Sequence, residues 1–545
     1  MHLFKTVAGL RCYLNRYRSG QPLLDRSDDI VPVSTASEIG LVPTMGALHI
    51  GHLSLIQRAR RENKLVVVSI FVNPLQFGPT EDFQQYPRTL EHDRALCEAA
   101  GVDAIFAPSA VEMGVARGQL SVGDQTTDGS QSPTQVIPPA AMMSVLCGRS
   151  RLGHFQGVAT IVTKLLNIVQ PHRAYFGQKD AQQLAIIRRL VQDLNLPVTI
   201  IGCPTVRESS GLAFSSRNQY LTAAQKEQAI ALYRGLSQAE RMFWNGERVA
   251  GVLCGAVSAE LEREPVIVRE YVELVHPLTL EPLEMIEDAG LLAVAARVGS
   301  TRLIDNLLLH SRKPIVAIDG PAGAGKSTVA RQVAQVLDLL YLDTGAMYRA
   351  LTWLVLQSGI AIDDEPSIAE LVSQCEIAIS GEPTAISVCI DGQDVTQAIR
   401  SLEVTSNVSA IAAQPTVRNE LVRQQRRYGR NGGIVIDGRD IGTYVFPDAE
   451  LKIFLTASVQ ERARRRQQDL KHQGKETISL DALEQAIYER DRKDSTRALA
   501  PLRQAEDAIE IQTDALSIAE VVDRVMQLYH DRCAVLATNG QLIQG

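Results

Sequence analysis

Short runs of consecutive apolar residues alternate along the N-terminal part of the chain with segments whose apolar positions recur every three or four residues. "IGLVPT" (39–44) precedes "HLSLIQRARREN" (52–63), "LVVVSIFV" (65–72) precedes the helical pattern of "RTLEHDRALCEAAG" (88–101), and "VDAIFAP" (102–108) follows. A run that is apolar at every position fits a strand buried on both faces, and its alternation with amphipathic helices predicts βα units around a parallel sheet. Beyond "SSRNQYL" (215–221) the pattern is helical through Glu264, then strand-like in "VIVREYVELV" (266–275) and "LLAVAARV" (291–298), which predicts a smaller α+β lobe. A second βα series opens at "PIVAIDG" (314–320), just past "LLLHSRK" (307–313), and the domain boundary is expected there. The expected division is therefore 1–310, with lobes of about 1–217 and 218–310, followed by 314–545. The polar stretch "RGQLSVGDQTTDGSQSPTQ" (117–135) has the composition of a surface loop.

Composition narrows the class without naming an activity. With 545 residues the chain exceeds one ordinary core, and 45% apolar with 21% charged residues is the balance of a globular protein. A net charge of -7 argues against a nucleic-acid or anionic-membrane coat. The eight cysteines, at 12, 97, 147, 203, 254, 375, 389 and 533, include no CxxC pair and no zinc-ligand spacing, so reduced structural thiols are expected. The N-terminal stretch has no long apolar h-region, and no apolar run is long enough to span a bilayer, so the expected address is the cytoplasm.

Two stretches carry chemistry. In "TMGALHIGH" (44–52), Gly46 lets the backbone leave a strand end, and a helix opening near Gly51 would turn its N-terminal amides toward an anion. His49 and His52, three apart, would share a face of its first turn and donate to phosphate oxygens. A zinc site would need His at i and i+4 with a glutamate between, and the sequence supplies neither. In "GPAGAGKST" (320–328), a strand, a GxxxxGK[ST] turn and a helical pattern follow one another. There the backbone of Gly320, Pro321, Ala322, Gly323, Ala324, Gly325 and Thr328 would curl around phosphate and turn its N–H groups, Pro321 having none, toward it, with Lys326 reaching the β- and γ-phosphates and Ser327 ligating Mg2+.

Six motifs in order, "VPTMGALHIGH", "SIFVNPLQFGP", "YPRTLEHD", "GRSRLGHFQGVATIV", "FGQKDAQQL" and "GLAFSSRNQYL", make residues 1–310 resemble the pantothenate synthetases, pantoate–β-alanine ligases with a Rossmann-like, HIGH-type nucleotidyltransferase fold. The resemblance implies that ATP adenylates the pantoate carboxylate with loss of pyrophosphate, and that the β-alanine amine then displaces AMP. It implies an ATP site made by Met45, Gly46, Ala47, Leu48, His49, Ile50, Gly51 and His52, by Gly177, Gln178, Lys179 and Asp180, by Val206, and by Phe214, Ser215, Ser216 and Arg217. By the same resemblance His52 is the proton donor, Lys179 and Asp180 meet the phosphates and ribose, and Gln76 and Gln183 hold pantoate and β-alanine. Mg2+ should accompany ATP; Asp93 is expected to be an exposed helix acid, with indirect ligation of the metal as its alternative role. Three positions depart from the family pattern: Gln178 and Cys147 where glutamate is usual, and Leu152 where proline is usual; Arg151 and His154 match it.

From about residue 314 to 545, "LDTGAMYR" (342–349), "DGQDVTQAIRS" (391–401), "DGRDIGT" (437–443) and "ERDRKDSTRALAPL" (489–502) resemble the bacterial cytidylate kinases, P-loop nucleoside monophosphate kinases with a parallel sheet. That resemblance places CMP against Thr344, Arg349, Ser409, Arg418, Arg439, Asp440, Asp494 and Arg497, with Arg490 and Arg492 closing over ATP. Guanidinium forks suit an acceptor phosphate, and a hydroxyl with carboxylates suits the cytosine amino group. The basic helical segments "ERARRRQQ" (461–468) and "RQQRRYGR" (423–430) hold a single aromatic residue, Tyr428, and the net charge is negative, so solvated or phosphate-facing helices are expected rather than an RNA-binding stripe.

The expectation is a two-site enzyme that makes pantothenate, AMP and pyrophosphate at one site and CDP or dCDP at the other. ATP with Mg2+ would serve both, with no prosthetic group and no nucleic-acid or membrane partner; a homodimer through the first half is expected by resemblance. A carboxylate-adenylating ligase joined to a different small-molecule kinase, and a non-catalytic nucleotide-binding regulator, are the rival readings.

Overall fold

The computed structural model describes residues 1–21, 38–78, 83–115, 134–383, 385–472, 478–496 and 500–538. Residues 117–133 of the expected surface loop, and Arg497, lie outside them. The chain divides into two compact units, Met1–His310 and Ser311–Gly545.

The first unit is built on six parallel strands: β1 (His2–Phe4), β2 (Ile39–Thr44), β3 (Leu65–Ile70), β4 (Ala104–Phe106), β5 (Arg173–Gly177) and β6 (Thr199–Cys203). Their order is β1-β4-β3-β2-β5-β6. Successive side chains alternate between two buried faces. Leu41, Leu65 and Val67 pack with the helices Val7–Arg18 and His154–Val169, while Val42, Val66 and Val68 pack with the helix Ile50–Glu62. Both faces being covered explains why these strands read as unbroken apolar runs. The chain winds outward from β2 through β3 and β4, then returns to pair β5 on the other side of β2. A crevice opens at such a reversal beyond the carboxyl ends of the two strands, here β2 and β5.

The small lobe follows. Helices Ala223–Ala229, Ala231–Trp244 and Ala250–Glu262 pack on an antiparallel sheet of β7 (Ile267–Val275), β8 (Ala289–Val298) and β9 (Thr301–His310). The "LLLH" expected as part of a junction is the end of β9.

The second unit holds β10 (Lys313–Asp319), β11 (Leu340–Asp343), a small antiparallel sheet of β12 (Ile377–Ser380), β13 (Ser387–Ile390) and β14 (Gln393–Asp394), then β15 (Gly432–Asp437), β16 (Leu451–Thr456) and β17 (Ile509–Gln512). The main sheet is parallel, ordered β11-β15-β10-β16-β17, and again alternates its buried faces: Ile315 and Ala317 one way, Val316 and Ile318 the other. Its reversal lies at β10, whose carboxyl end carries the glycine-rich turn. Among the described residues no helix is long and apolar enough to cross a membrane, and seven cysteines are free thiols.

Candidate active sites

In the first unit a cleft of about 630 Å³ lies beyond β2 and β5. Its walls include Met45, His49, Gly51, His52, Gln76, Gly177, Lys179, Asp180 and Gln183, and also Val206, Phe214, Ser215, Ser216 and Arg217. After β2 the backbone turns through Gly46 at φ +84° and Ala47 at φ +51°, and the helix begins at Ile50 with His49 as its N-cap. His49 therefore precedes the first turn rather than sharing it. Its Nδ1 accepts from the Gly51 amide at 3.1 Å, and the Nδ1 of His52 accepts from the His49 amide at 3.4 Å.

These caps decide the state of both rings. Burial and the nearby Lys179 lower His49 to about 4, and burial, His49 and Lys179 lower His52 to about 3, so both are neutral at pH 7. With Nδ1 of each ring accepting, the single proton sits on Nε2. The ring centroids are 4.1 Å apart. Amides expected to face an anion are spent inside the loop: those of Gly51 and His49 go to the imidazoles, and those of Ala47 and Leu48 go to Asp93. What this part of the loop offers the cleft is imidazole N–H.

Asp93 corrects an expectation. It is fully buried, with Oδ2 3.0 Å from the Ala47 amide and Oδ1 2.8 Å from the Leu48 amide, and it is not part of the cleft wall. It is neither an exposed helix acid nor placed as a metal ligand; it is the inner clamp of the loop.

The other walls are held from behind. Asn73 donates to Gln76 Oε1 at 3.2 Å, and the Gln76 Nε2 lies 2.7 Å from Met45 Sδ. The Gln76 carbonyl receives Arg151 Nη2 at 3.2 Å and lies 2.8 Å from His154 Nδ1. Arginine only donates, so at the 3.0 Å contact between Arg151 Nη1 and His154 Nε2 the imidazole accepts, and Nδ1 carries the proton given to Gln76. On the opposite wall the Phe214 amide bonds the Val206 carbonyl at 3.0 Å, and Ser215 Oγ caps the Arg217 amide at 3.3 Å.

The small lobe contributes residues that the sequence reading missed. Glu270, Arg297, Thr301 and Arg302 line the cleft, and Asn306 bonds the carbonyls of Gln178 and Lys179 at 3.1 and 2.8 Å. Nothing local in the sequence marks them: Glu270 pairs with Arg302 in the next strand but one, and the contacts of Arg302 with Cys147 and of Asn306 with Gln178 and Lys179 each span over a hundred positions. The departures from the family pattern are accommodated. Gln178 is exposed and off the cleft wall, Leu152 is 88% exposed, and the buried Cys147 meets Tyr271 Oη at 3.1 Å and Arg302 Nη2 at 3.5 Å.

In the second unit the turn after β10 uses Gly320, Gly323 and Gly325 at φ +145°, +81° and +88°, and Gly325 starts the helix Lys326–Leu337. A Cβ on Gly320 would collide with the Leu455 carbonyl of β16, so only glycine fits there. Lys326 is buried, and its Nζ donates to the Pro321 carbonyl at 2.7 Å. Burial, then the charges of Arg439 and Arg490, push its pKa well down, while Asp437 and Asp319 oppose them. Ser327 Oγ donates to Asp437 Oδ2 at 2.7 Å.

The acceptor side is a chain of ion pairs. Arg418, 2% exposed, meets Asp440 at 2.5 Å; Arg439 Nε meets Asp494 at 3.0 Å; Arg349 meets Asp343 at 3.3 Å. Nε of Arg418 is buried with no hydrogen-bond acceptor. Thr344 is buried with its hydroxyl given to the Asp437 carbonyl at 2.7 Å. Ser409, Arg490 and Arg492 are all exposed, and Arg490 and Arg492, two positions apart on one helix, face different directions. Arg490 is the member of that pair whose charge reaches Lys326 and Arg439.

The family model described as pantoate-beta-alanine ligase matches residues 4–308, and that described as cytidylate kinase matches residues 316–531. A bifunctional pantoate ligase/cytidylate kinase of Trichormus variabilis is 62% identical over 98% of this chain and 99% of its own length. One from Trichodesmium erythraeum is 58% identical over 98% of each. The solved pantothenate synthetase of Thermus thermophilus is 44% identical, aligning 56% of this chain and 99% of its own with a TM-score of 0.49. The chain thus belongs to the bifunctional pantoate ligase/cytidylate kinase family, uses ATP at both sites, and joins an amide-forming ligase to a nucleoside monophosphate kinase.

Proposed function

We propose that the first site works through a pantoyl adenylate. A pantoate carboxylate oxygen attacks the α-phosphorus of ATP as pyrophosphate leaves, and the β-alanine amine then attacks the acyl carbon and expels AMP. The observation that carries this reading is one cleft walled jointly by His49, His52, Lys179, Arg217, Gln76 and Gln183. Lys179 and Arg217 supply fixed positive charge for the departing pyrophosphate. His49 and His52 supply Nε2–H as neutral hydrogen-bond donors, a role that needs no imidazolium. Gln76 and Gln183 would take the pantoate and β-alanine polar groups, both amides being able to donate and accept. Val206 and the Phe214 backbone would lie along the adenine.

At the second site Lys326, Arg439 and Arg490 would surround the transferring phosphoryl group, and their mutual repulsion supports a polyanionic ligand among them. Arg418, Asp440, Arg349 and Asp494 would hold CMP or dCMP. Ser327 and Asp437 offer hard oxygen donors that would hold Mg2+, which would supply positive charge to offset that of the phosphates. In the ligase cleft Asp93 does not fit that task, since both its oxygens face the loop amides. A homodimer through the ligase half belongs to the same reading by resemblance, and sedimentation of the purified chain checks it.

Pantoate-dependent exchange of labelled pyrophosphate into ATP, with β-alanine omitted, tests the adenylate. Exchange is expected; full pantothenate synthesis without any exchange sinks the two-step reading. Lys179→Met should abolish AMP formation and leave CMP-dependent ADP formation, and Lys326→Met should do the reverse.

A further inference from the structure

The kinase unit contains a buried guanidinium that none of the roles above uses. Arg462 lies in the helix Val459–His472, and its side chain is 4% exposed. Its Nε donates to the Ala457 carbonyl at 3.0 Å, just past β16. Its Nη1 donates to the Ala322 carbonyl, inside the glycine-rich turn, at 3.1 Å. Nη1 and Nη2 together grip both oxygens of Asp491 at 3.1 and 2.6 Å. One planar group thus joins the end of a strand, the phosphate turn and the helix Leu480–Thr496.

That third partner matters most. Asp491 directly follows Arg490, and Asp494, three residues on, pairs with Arg439 at 3.0 Å. The helix is pinned at two places on one face, to the donor side through Asp491 and to the acceptor side through Asp494. A two-point grip by a forked guanidinium fixes rotation about the helix axis, which a single point charge does not. Rotation of this helix is what decides whether Arg490 stands near Lys326 and Arg439.

We propose that Arg462 is a positioning residue of the kinase: by clamping Asp491 to the glycine-rich turn it sets the helix Leu480–Thr496 so that Arg490 faces the transferring phosphate. The inference rests on the reading of Arg490 as phosphate-facing. It assigns Arg462 no contact with the reacting atoms.

The test is a double-mutant cycle on the full chain, reading the kcat of CDP formation and the KM for CMP. Asp491→Asn is expected to lower kcat about 10-fold, the scale of one charge-assisted hydrogen bond, with the KM for CMP changed less than about 2-fold because the Arg439–Asp494 pair remains. Arg462→Lys, which keeps the charge and loses the fork, should match it, and Asp491→Glu should recover part of the loss. In an Arg490→Ala background, Asp491→Asn should cost no more than about 2-fold further, because the residue it positions is gone. Multiplicative losses in that background would overturn the proposal and leave Arg462 a stability element. If Arg490→Ala alone leaves kcat unchanged, the reading of Arg490 fails and the proposal with it. Thermal midpoints of the same variants separate misfolding from mispositioning: equal midpoints with unequal kcat support the proposal, and a kcat loss that tracks the midpoint in every variant overturns it.

Discussion

Replacing Asp93 by asparagine tests how the ligase loop is held. In the native protein two amides, of Ala47 and Leu48, each give a hydrogen bond to one carboxylate oxygen, at 3.0 and 2.8 Å, with the side chain fully buried. A charge-assisted bond of this kind contributes about 1.5–3 kcal/mol. Against it stands a non-glycine residue, Ala47, in the left-handed region at φ +51°, a conformation that costs roughly 1–2 kcal/mol. Asparagine keeps one acceptor and turns an NH2 toward the other amide, so one bond is lost and a buried donor is left without a partner. The remaining bond barely balances the strain, and the loop that carries His49 and His52 loosens.

The expected loss is about 2 kcal/mol in kcat/KM for ATP, or roughly 30-fold. The assay is pyrophosphate release over an ATP series at several Mg2+ concentrations, with CDP formation by the same chain as the internal standard. Reasoning from the loop predicts a raised KM for ATP at every Mg2+ concentration and unchanged kinase turnover. Recovery of the ligase on adding Mg2+ would refute it, because that is how a lost metal ligand behaves; so would a loss smaller than about 3-fold, which would make the second bond dispensable.

Gly46→Ala should damage the same loop from the other side: at φ +84° its new Cβ would lie 2.9 Å from Asp93 Oδ2 and 3.0 Å from Ile70 Cγ2, and a roughly 5- to 30-fold fall in ligase kcat/KM with intact kinase activity is expected. The two cleft histidines should stay neutral through the physiological range, since their pKa values lie at about 4 and about 3. Because the unfolded chain binds these protons near pH 6.5 and the folded one does not, their neutral burial favours the fold fully above that pH, and the contribution drains away as pH falls toward 4 and then 3. Ring C–H resonances followed from pH 8 to 5 check this, and a midpoint near 6.5 for His49 or His52 would contradict it.

Both parallel sheets were legible in the sequence because strands covered on two faces must be apolar at every position, as in Leu65–Val68 and Ile315–Ile318. The glycine-rich turns were legible too, since only Gly fits at 320 beside Leu455. Asp93 was not: in "RTLEHDRALC" nothing distinguishes an acid that meets solvent from one that meets amides 45 and 46 positions upstream. The same limit hid Glu270, Arg302 and Asn306, whose contacts with the cleft are made by a distant lobe. The expectation that Arg490 and Arg492 both close over ATP overlooked helix periodicity, by which two residues two apart cannot both turn to one phosphate.

Buried carboxylates hold functional loops in both units, and in the kinase this has a consequence for pH. Asp319, at the end of β10, receives the amides of Ile441 at 2.8 Å and Gly442 at 2.7 Å, directly after Arg439 and Asp440. Burial raises its pKa to about 6; those two amides and Lys326 pull the other way, and Asp440 adds to the rise. As pH falls through about 6 the carboxylate is neutralised and its two charge-assisted bonds weaken, so the loop that presents Arg439 and Asp440 loses its anchor and turnover falls. Stability moves oppositely: the folded pKa lies above the unfolded 3.8, so this group costs the fold least once protonated, and its contribution improves as pH drops from 6 toward 3.8. Phosphate monoesters also titrate near pH 6, so the readout is the difference between two enzymes. Wild type should show one more acid-side ionisation in kinase kcat than Asp319→Asn, whose profile starts lower and stays flatter, while the thermal midpoint of wild type does not fall over the same interval. Identical acid limbs in the two proteins would show that Asp319 does not govern the loop.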